Sequence, residues 1–243
     1  MNSIPVLYYV GDASRNMEEF MKFWREQVHG WRDVEQLCLH CNLDRDRWEF
    51  VQTRFSLPMS VLKKKRDEIN WSHVSSEYEK FIDKDVIELK DYVDFNAVVM
   101  WSRNVTEKCI RKLADRIDFH VLSQDRDMSF EFMEDFRDQM DWKEVLERRI
   151  RKRRIDDEFL VKFSGCVDWE ILSRYWNFSD EQLDKYKDLL DWRTLSVWHK
   201  WNVNTVARYM ELIDWEIISK CGNWFHTPSK MENMRKEALF HVS

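Results

Sequence analysis

Cys38-Leu39-His40-Cys41 is the one cluster in the 243-residue chain with the spacing of metal ligands. A zinc ion takes about four nitrogen or sulfur ligands, so His29 or His73 would have to complete the set. No second cysteine pair supplies the remainder. Cys38 and Cys41 lie three apart on a segment with helical patterning, where both thiols can face a core, and buried thiols are the simpler reading. Cys38, His40 and Cys41 are thus the metal candidates, and no cofactor is expected. Acid–base catalysis needs two or three groups converging in a cleft with shifted pKa values. The recurrent aspartates here come about once per 23 residues instead, and in a helical stack successive ones would stand about 10 Å apart. No G-x-S-x-G, H-E-x-x-H, phosphate-loop or dinucleotide pattern is present. No catalytic residue is identified, and the chain reads as a non-enzyme.

Two features suit binding better than catalysis. Arg148, Arg149, Arg151, Lys152, Arg153 and Arg154 put six positive charges into seven residues of a chain whose net charge is −6. Such a run can hold phosphates, an acidic protein or a nuclear-import receptor. As a plain solvated loop it would be neutralised by Asp156, Asp157 and Glu158. Trp176, Trp198 and Trp201 are surplus to any repeated position. They either fill the turns between helices or line a groove for a protein partner, where Trp, Tyr and Arg dominate binding energy. Stacking on unpaired bases would call for a regular basic stripe beside them, and the sequence has none. The shorter run Lys63 to Arg66, next to Asp67 and Glu68, reads as a polar helix face.

The elements that hold these residues follow from an internal repeat. An aliphatic residue or Met, then Asp or Asn, then Trp or Phe recurs seven times, with the aromatic at 71, 95, 119, 142, 169, 192 and 215. The steps are 24, 24, 23, 27, 23 and 23. His29-Gly30-Trp31 reads as a degenerate earlier copy, with room for one irregular unit before Trp71. Asn70, Asp94, Asp118, Asp141, Asp168, Asp191 and Asp214 are expected to be helix N-caps, their side-chain oxygens accepting from free first-turn N–H groups. In every copy an apolar residue before the cap pairs with one four residues into the helix, from Val74 to Ile218, as a hydrophobic staple. A second helix precedes each cap, as in 129–140, 156–167 and 179–190, the last opened by a Ser179/Gln182 capping box. Two helices of about ten residues per unit are marginal alone, so neighbouring units must supply the burial. The extra residues of the 27-residue step, which include the basic run, are expected between the two helices of the Trp142 unit, on an exposed face.

Composition agrees with a helical array. Gly and Pro together number seven, too few for turn-dense β architecture or flexible linkers. The fold expected is all-α, a solenoid-like array in one domain. Its N-terminal cap is 1–30, the repeats are 31–221 and the C-terminal cap is 222–243, with an apolar run at Ile4–Val10 and a terminal helix around Met231–Val242. The acidic balance argues against wholesale coating of nucleic acid. Five scattered cysteines suit a reducing compartment better than a disulfide framework. The first residues lack a basic stretch ahead of a long apolar one, and no segment approaches the eighteen apolar residues of a membrane span. The expected location is intracellular, cytoplasmic or nuclear in a host cell, or in a virion, with no membrane partner.

Asp214-Trp215-Glu216-Ile217-Ile218-Ser219 and Asp168-Trp169-Glu170-Ile171-Leu172-Ser173 resemble the short Asp-Trp helical repeats of proteins from large DNA viruses. Phe95, Phe119 and the absence of Ser after Val145 depart from that pattern. The resemblance covers roughly residues 56–221 and implies an all-helical viral repeat protein; it brings no catalytic residues. The function expected is protein binding, as a host-interaction or assembly scaffold. The alternatives are a cementing component of the virion and a nucleic-acid-binding repeat using Arg148–Arg154.

Overall fold

A computed structural model describes residues 16–220 and 227–242. The apolar run Ile4–Val10, Cys221 and Gly222 lie outside the described residues. Those described form eighteen α-helices and one short 3-10 turn, with no strand among them. The fold is all-α and built from repeats. The chain divides into two compact units between Phe132 and Met133.

The first unit holds α1 (Met17–Gln27), α2 (Trp31–His40), α3 (Arg45–Arg54), α4 (Met59–Lys64), α5 (Trp71–Glu77), α6 (Asp83–Glu88), α7 (Phe95–Trp101), α8 (Glu107–Lys112) and α9 (Phe119–Asp125). Odd helices pack in sequence, α1 on α3 and so on to α9, while α2 packs on α4 and α6 on α8. This corrects the placement of the earliest repeat. Trp31 opens α2, which belongs with the even helices. The odd-row helix before Trp71 is α3, capped by Asp44, whose carboxylate accepts from Arg47 N–H at 3.0 Å. Its first residue is Arg45, and its apolar staple is Leu43 with Trp48, both buried. Cap chemistry is local and marks a helix start without saying which row the helix joins.

After α10 (Phe130–Asp135), the second unit holds α11 (Trp142–Arg151), α12 (Asp157–Phe163), α13 (Trp169–Tyr175), α14 (Asp180–Tyr186), α15 (Trp192–Trp198), α16 (Val203–Tyr209), α17 (Trp215–Lys220) and α18 (Pro228–Val242). Here α13 packs on α15 and α15 on α17, while α18 lies against α16 and α17.

Most repeat helices have six or seven residues rather than ten. The segments 156–167 and 179–190 are helical only to Phe163 and Tyr186. A turn follows in which Val167 N–H still reaches Phe163 O and Leu190 N–H reaches Tyr186 O, both at 3.1 Å. Helices under two turns do not persist alone, so the bonds between units hold them.

Three recurring bonds fix the helices, one within each helix and two from one helix to another. The first is the cap. All seven predicted Asp and Asn side chains accept first-turn N–H groups, from Asp191 to Thr194 N–H at 2.9 Å to the long contact of Asn70 with His73 N–H at 3.4 Å. The second is the indole. Trp71, Trp142, Trp169, Trp192 and Trp215 each donate Nε1–H to the carbonyl five residues earlier, at 2.6–2.9 Å. In three cases that carbonyl, of Ser164, Lys187 or Met210, belongs to the C-cap of the preceding helix, one of the oxygens a helix end leaves without an intrahelical donor. The acid closes the start of its own helix while the indole closes the end of the one before. Trp142, Trp169 and Trp192 also pack on Phe163, Tyr186 and Tyr209, with centroids 4.9–5.3 Å apart.

The third bond explains the serine of the motif. Ser75, Ser173 and Ser196 are buried and accept the backbone N–H of the next cap, Asp94, Asp191 and Asp214, at 2.8–3.0 Å. Where Val99 replaces the serine, Asn96 Oδ1 accepts from Asp118 N–H instead, at 2.9 Å. The intervening helices are linked by longer side chains one period apart. Thr106 N–H meets Asp83 at 2.7 Å, Lys185 meets Asp157 at 2.9 Å, and Lys63 meets Asp85 and Glu88 at 2.9 and 2.7 Å. The Lys63–Arg66 run is thus partly joined to the following unit. Hydrogen bonds from Gln182 and Lys185 hold the Asp157 carboxyl below its ordinary pKa. The exposed pairs among them, such as Lys185 with Asp157, contribute only about 0–1 kcal/mol each, so they set register more than they set stability.

The basic run is only in part a loop, because Lys152, Arg153 and Arg154 alone of its residues lie between α11 and α12. Arg148, Arg149, Ile150 and Arg151 continue α11, which has ten residues where most odd-row repeat helices have seven. Arginine is a good helix former, and the inserted residues lengthen the helix. Arg148 is buried and offers no surface charge. Arg149 turns back, donating to Arg154 O at 3.0 Å and lying over the Phe159 ring at 4.4 Å. Lys152 is the C-cap. Arg151, Lys152, Arg153 and Arg154 are exposed.

Candidate binding groove

The helix ends in the second unit bring the sequence candidates together. α11 ends in a Schellman motif, with Arg153 N–H donating to Ile150 O at 3.0 Å and Arg154 N–H to Arg149 O at 2.9 Å. Arg153 takes the left-handed position of that motif, φ 53°, the sole non-glycine with positive φ among the described residues. Glycine is the usual occupant, because a β-carbon is crowded there. The α11 extension ends at the rim of an open groove of about 590 Å³, within the range of ligand-binding clefts.

Ile150 and Arg153 form one wall of this groove. The end of α13 supplies Arg174, Tyr175, Trp176 and Asn177, and the end of α15 supplies Trp198 and Lys200. None of these lining residues is acidic. Tyr175 is 62% exposed. The Arg174 guanidinium lies over the Tyr175 ring at 5.8 Å and the Trp198 ring at 5.2 Å, joining the two helix ends through cation–π contacts. The side chains of Arg153 and Asn177 make no hydrogen bond or ion pair with the described residues. Trp176 Nε1–H is buried without an acceptor, unlike the indoles that open the repeats.

Of the sequence candidates, Arg153, Trp176 and Trp198 therefore converge. Trp201 does not. It is buried, donates Nε1–H to Ser196 O at 3.1 Å and packs edge-on against His199 at 4.8 Å. It is a core residue because its indole caps α15 from the turn. Arg174, Tyr175 and Asn177 were missed. Their signal was positional, since they flank Trp176 where α13 ends.

The metal candidates remain apart in character. Cys38 and Cys41 are buried and His40 is exposed. Burial, reinforced by Cys41, pushes the Cys38 thiol up to about 12; burial also raises Cys41. Both favour the protonated thiol, whereas a zinc ligand must be a thiolate. No group of three or more His, Cys, Asp or Glu side chains suited to a metal occurs among the described residues. His73, a proposed fourth ligand, places Nε2 at 3.1 Å from Gln52 O. No described helix is long and apolar enough to cross a membrane.

No family model, curated protein or solved structure matches the chain.

Proposed function

We propose that the chain is a non-enzymatic helical-repeat module that binds another protein, serving as a host-interaction factor or assembly scaffold in a viral setting. What supports the reading is a division of labour among conspicuous side chains. The recurrent Asp residues are occupied in capping their own helices, and the recurrent Ser and Trp residues in fastening one helix to the next. Arg153, Tyr175 and Asn177 have no such duty and surround one open groove together with Arg174, Trp176 and Trp198. Aromatic rings beside arginines in a concave site are the composition of binding hot spots. The carboxylates, by contrast, are spread along the repeats as caps and interhelical partners, an arrangement for holding helices rather than for moving protons.

Affinity capture from host-cell extract with the full chain and its Arg174→Ser/Trp198→Ala variant, read by mass spectrometry, tests this. A discrete protein retained by the wild type and lost from a variant of unchanged melting temperature is the expected result. Retention of nucleic acid alone, abolished by nuclease, would overturn the reading.

A further inference from the structure

Resting on that protein-binding reading, we propose that the groove at the ends of α11, α13 and α15 takes an extended acidic segment of its partner, with an apolar side chain set between carboxylates. Charge complementarity selects the class of ligand. Arg153 and Arg174 line the groove and none of its lining residues carries a carboxylate, so an anionic segment meets cationic walls there.

The rings decide how Arg174 is used. Its guanidinium lies over two aromatic faces, which leaves its N–H edges to pair with a carboxylate side-on. Arg153 makes no competing contact. Ile150, Trp176 and Trp198 supply apolar wall between the charges, suited to a Leu or Phe side chain. Asn177 has a donor and an acceptor on one amide, the pair an extended main chain presents. Packed helices lie about 8–10 Å apart, so three successive ends span roughly 20 Å. That length accommodates about six residues at 3.3 Å each.

Arg153 adds an independent observation. The left-handed position at the end of α11 favours glycine, yet a long cationic side chain stands there and is directed to no other described partner. A single-stranded nucleic acid is the poorer fit. Arg174 already covers the Tyr175 and Trp198 rings where bases would stack, and the cations occupy one groove instead of a stripe that tracks a backbone.

The test is fluorescence anisotropy with the full chain and three labelled probes. They are the peptide Glu-Asp-Leu-Glu-Phe-Asp, the same peptide with lysine at each acidic position, and oligothymidylate of similar length. The acidic peptide is expected to bind, to weaken as salt rises, and to bind at least tenfold more weakly to Arg153→Gly/Arg174→Ser. That variant should melt at or above the wild-type temperature. Equal binding by the variant, or preference for the lysine peptide or oligothymidylate, would overturn the proposal. If the acidic peptide fails while Trp198→Ala still abolishes capture of a protein partner, the acidic segment is refuted and protein binding stands. If the peptide binds at the groove and no protein is captured through it, the acidic chemistry stands and the protein-binding reading is what fails.

Discussion

Two open clefts of nearly equal size, one in each unit, differ in what their walls are already doing. The cleft of about 570 Å³ in the first unit is bordered by Trp48, Gln52, Asp67, Glu68 and Asn70 among others. Several of its polar groups answer one another, although the Arg45 and Glu49 side chains that also line it do not among the described residues. Trp48 Nε1–H donates to Glu68 at 2.9 Å, Asn70 N–H to Gln52 Oε1 at 2.8 Å, and the Tyr92 hydroxyl to Asp67 at 2.9 Å. In the 590 Å³ groove of the second unit, Arg153 and Asn177 answer nothing and the Trp176 indole N–H lacks an acceptor. Concavity alone therefore does not separate a binding site from a seam between repeats. A buried donor left without an acceptor, the Trp176 Nε1–H, does.

The contrast predicts that changes in the first cleft unfold the protein and changes in the second leave it folded but unable to bind. Trp48→Ala should have the largest effect, about 3–5 kcal/mol by urea denaturation, because it removes a buried ring. Alkali should also attack the first unit, which holds buried Cys38 and Cys109. Burial lifts these thiols from 9.0 to about 12 and about 11. The folded values exceed the unfolded ones, so the stability they contribute is whole below pH 9 and is lost as pH rises toward 11–12. The expected slope is about 1.4 kcal/mol per pH unit for each thiol across its window, readable in denaturation midpoints taken from pH 8 to pH 11. Gln52→Ala should cost about 1–3 kcal/mol by leaving Asn70 N–H without its acceptor.

In the groove, Arg153→Gly should raise stability by about 0.5–1 kcal/mol, the relief of a left-handed β-carbon less the added chain entropy of glycine. Tyr175→Ala should lie within about 0.5 kcal/mol of wild type while removing partner capture. A Tyr175→Ala protein that unfolds readily, or a Trp48→Ala protein that melts normally, would erase the distinction between the two clefts.

The seven caps were legible because a cap is read within four residues: Asp191 and Leu195 announce a helix start wherever the chain goes next. The Trp-to-carbonyl bond was harder to see. It joins Trp192 to Lys187 across a turn whose course depends on packing between units, although the constant five-residue offset lay in the sequence throughout. Row membership was illegible for the same reason, and Trp31 was assigned to the wrong row. In the basic run, charge points to the surface while helix propensity decides, so Arg148 is buried on α11 although its residue type suggests exposure. At the groove, Arg153, Trp176 and Trp198 were identifiable one at a time. Their meeting with Arg174 and Tyr175 required knowing that three helices end side by side.

The acid–indole pairing also has a consequence for how such a chain can change its length. Excising residues 168–190 would place Asp191 directly after Val167, and the fifth residue before Trp192 would then be Ser164, the same carbonyl that Trp169 now engages. Whole periods can thus be gained or lost with each splice re-forming a junction of the old kind, whereas the loss of even one residue leaves an indole facing the wrong oxygen.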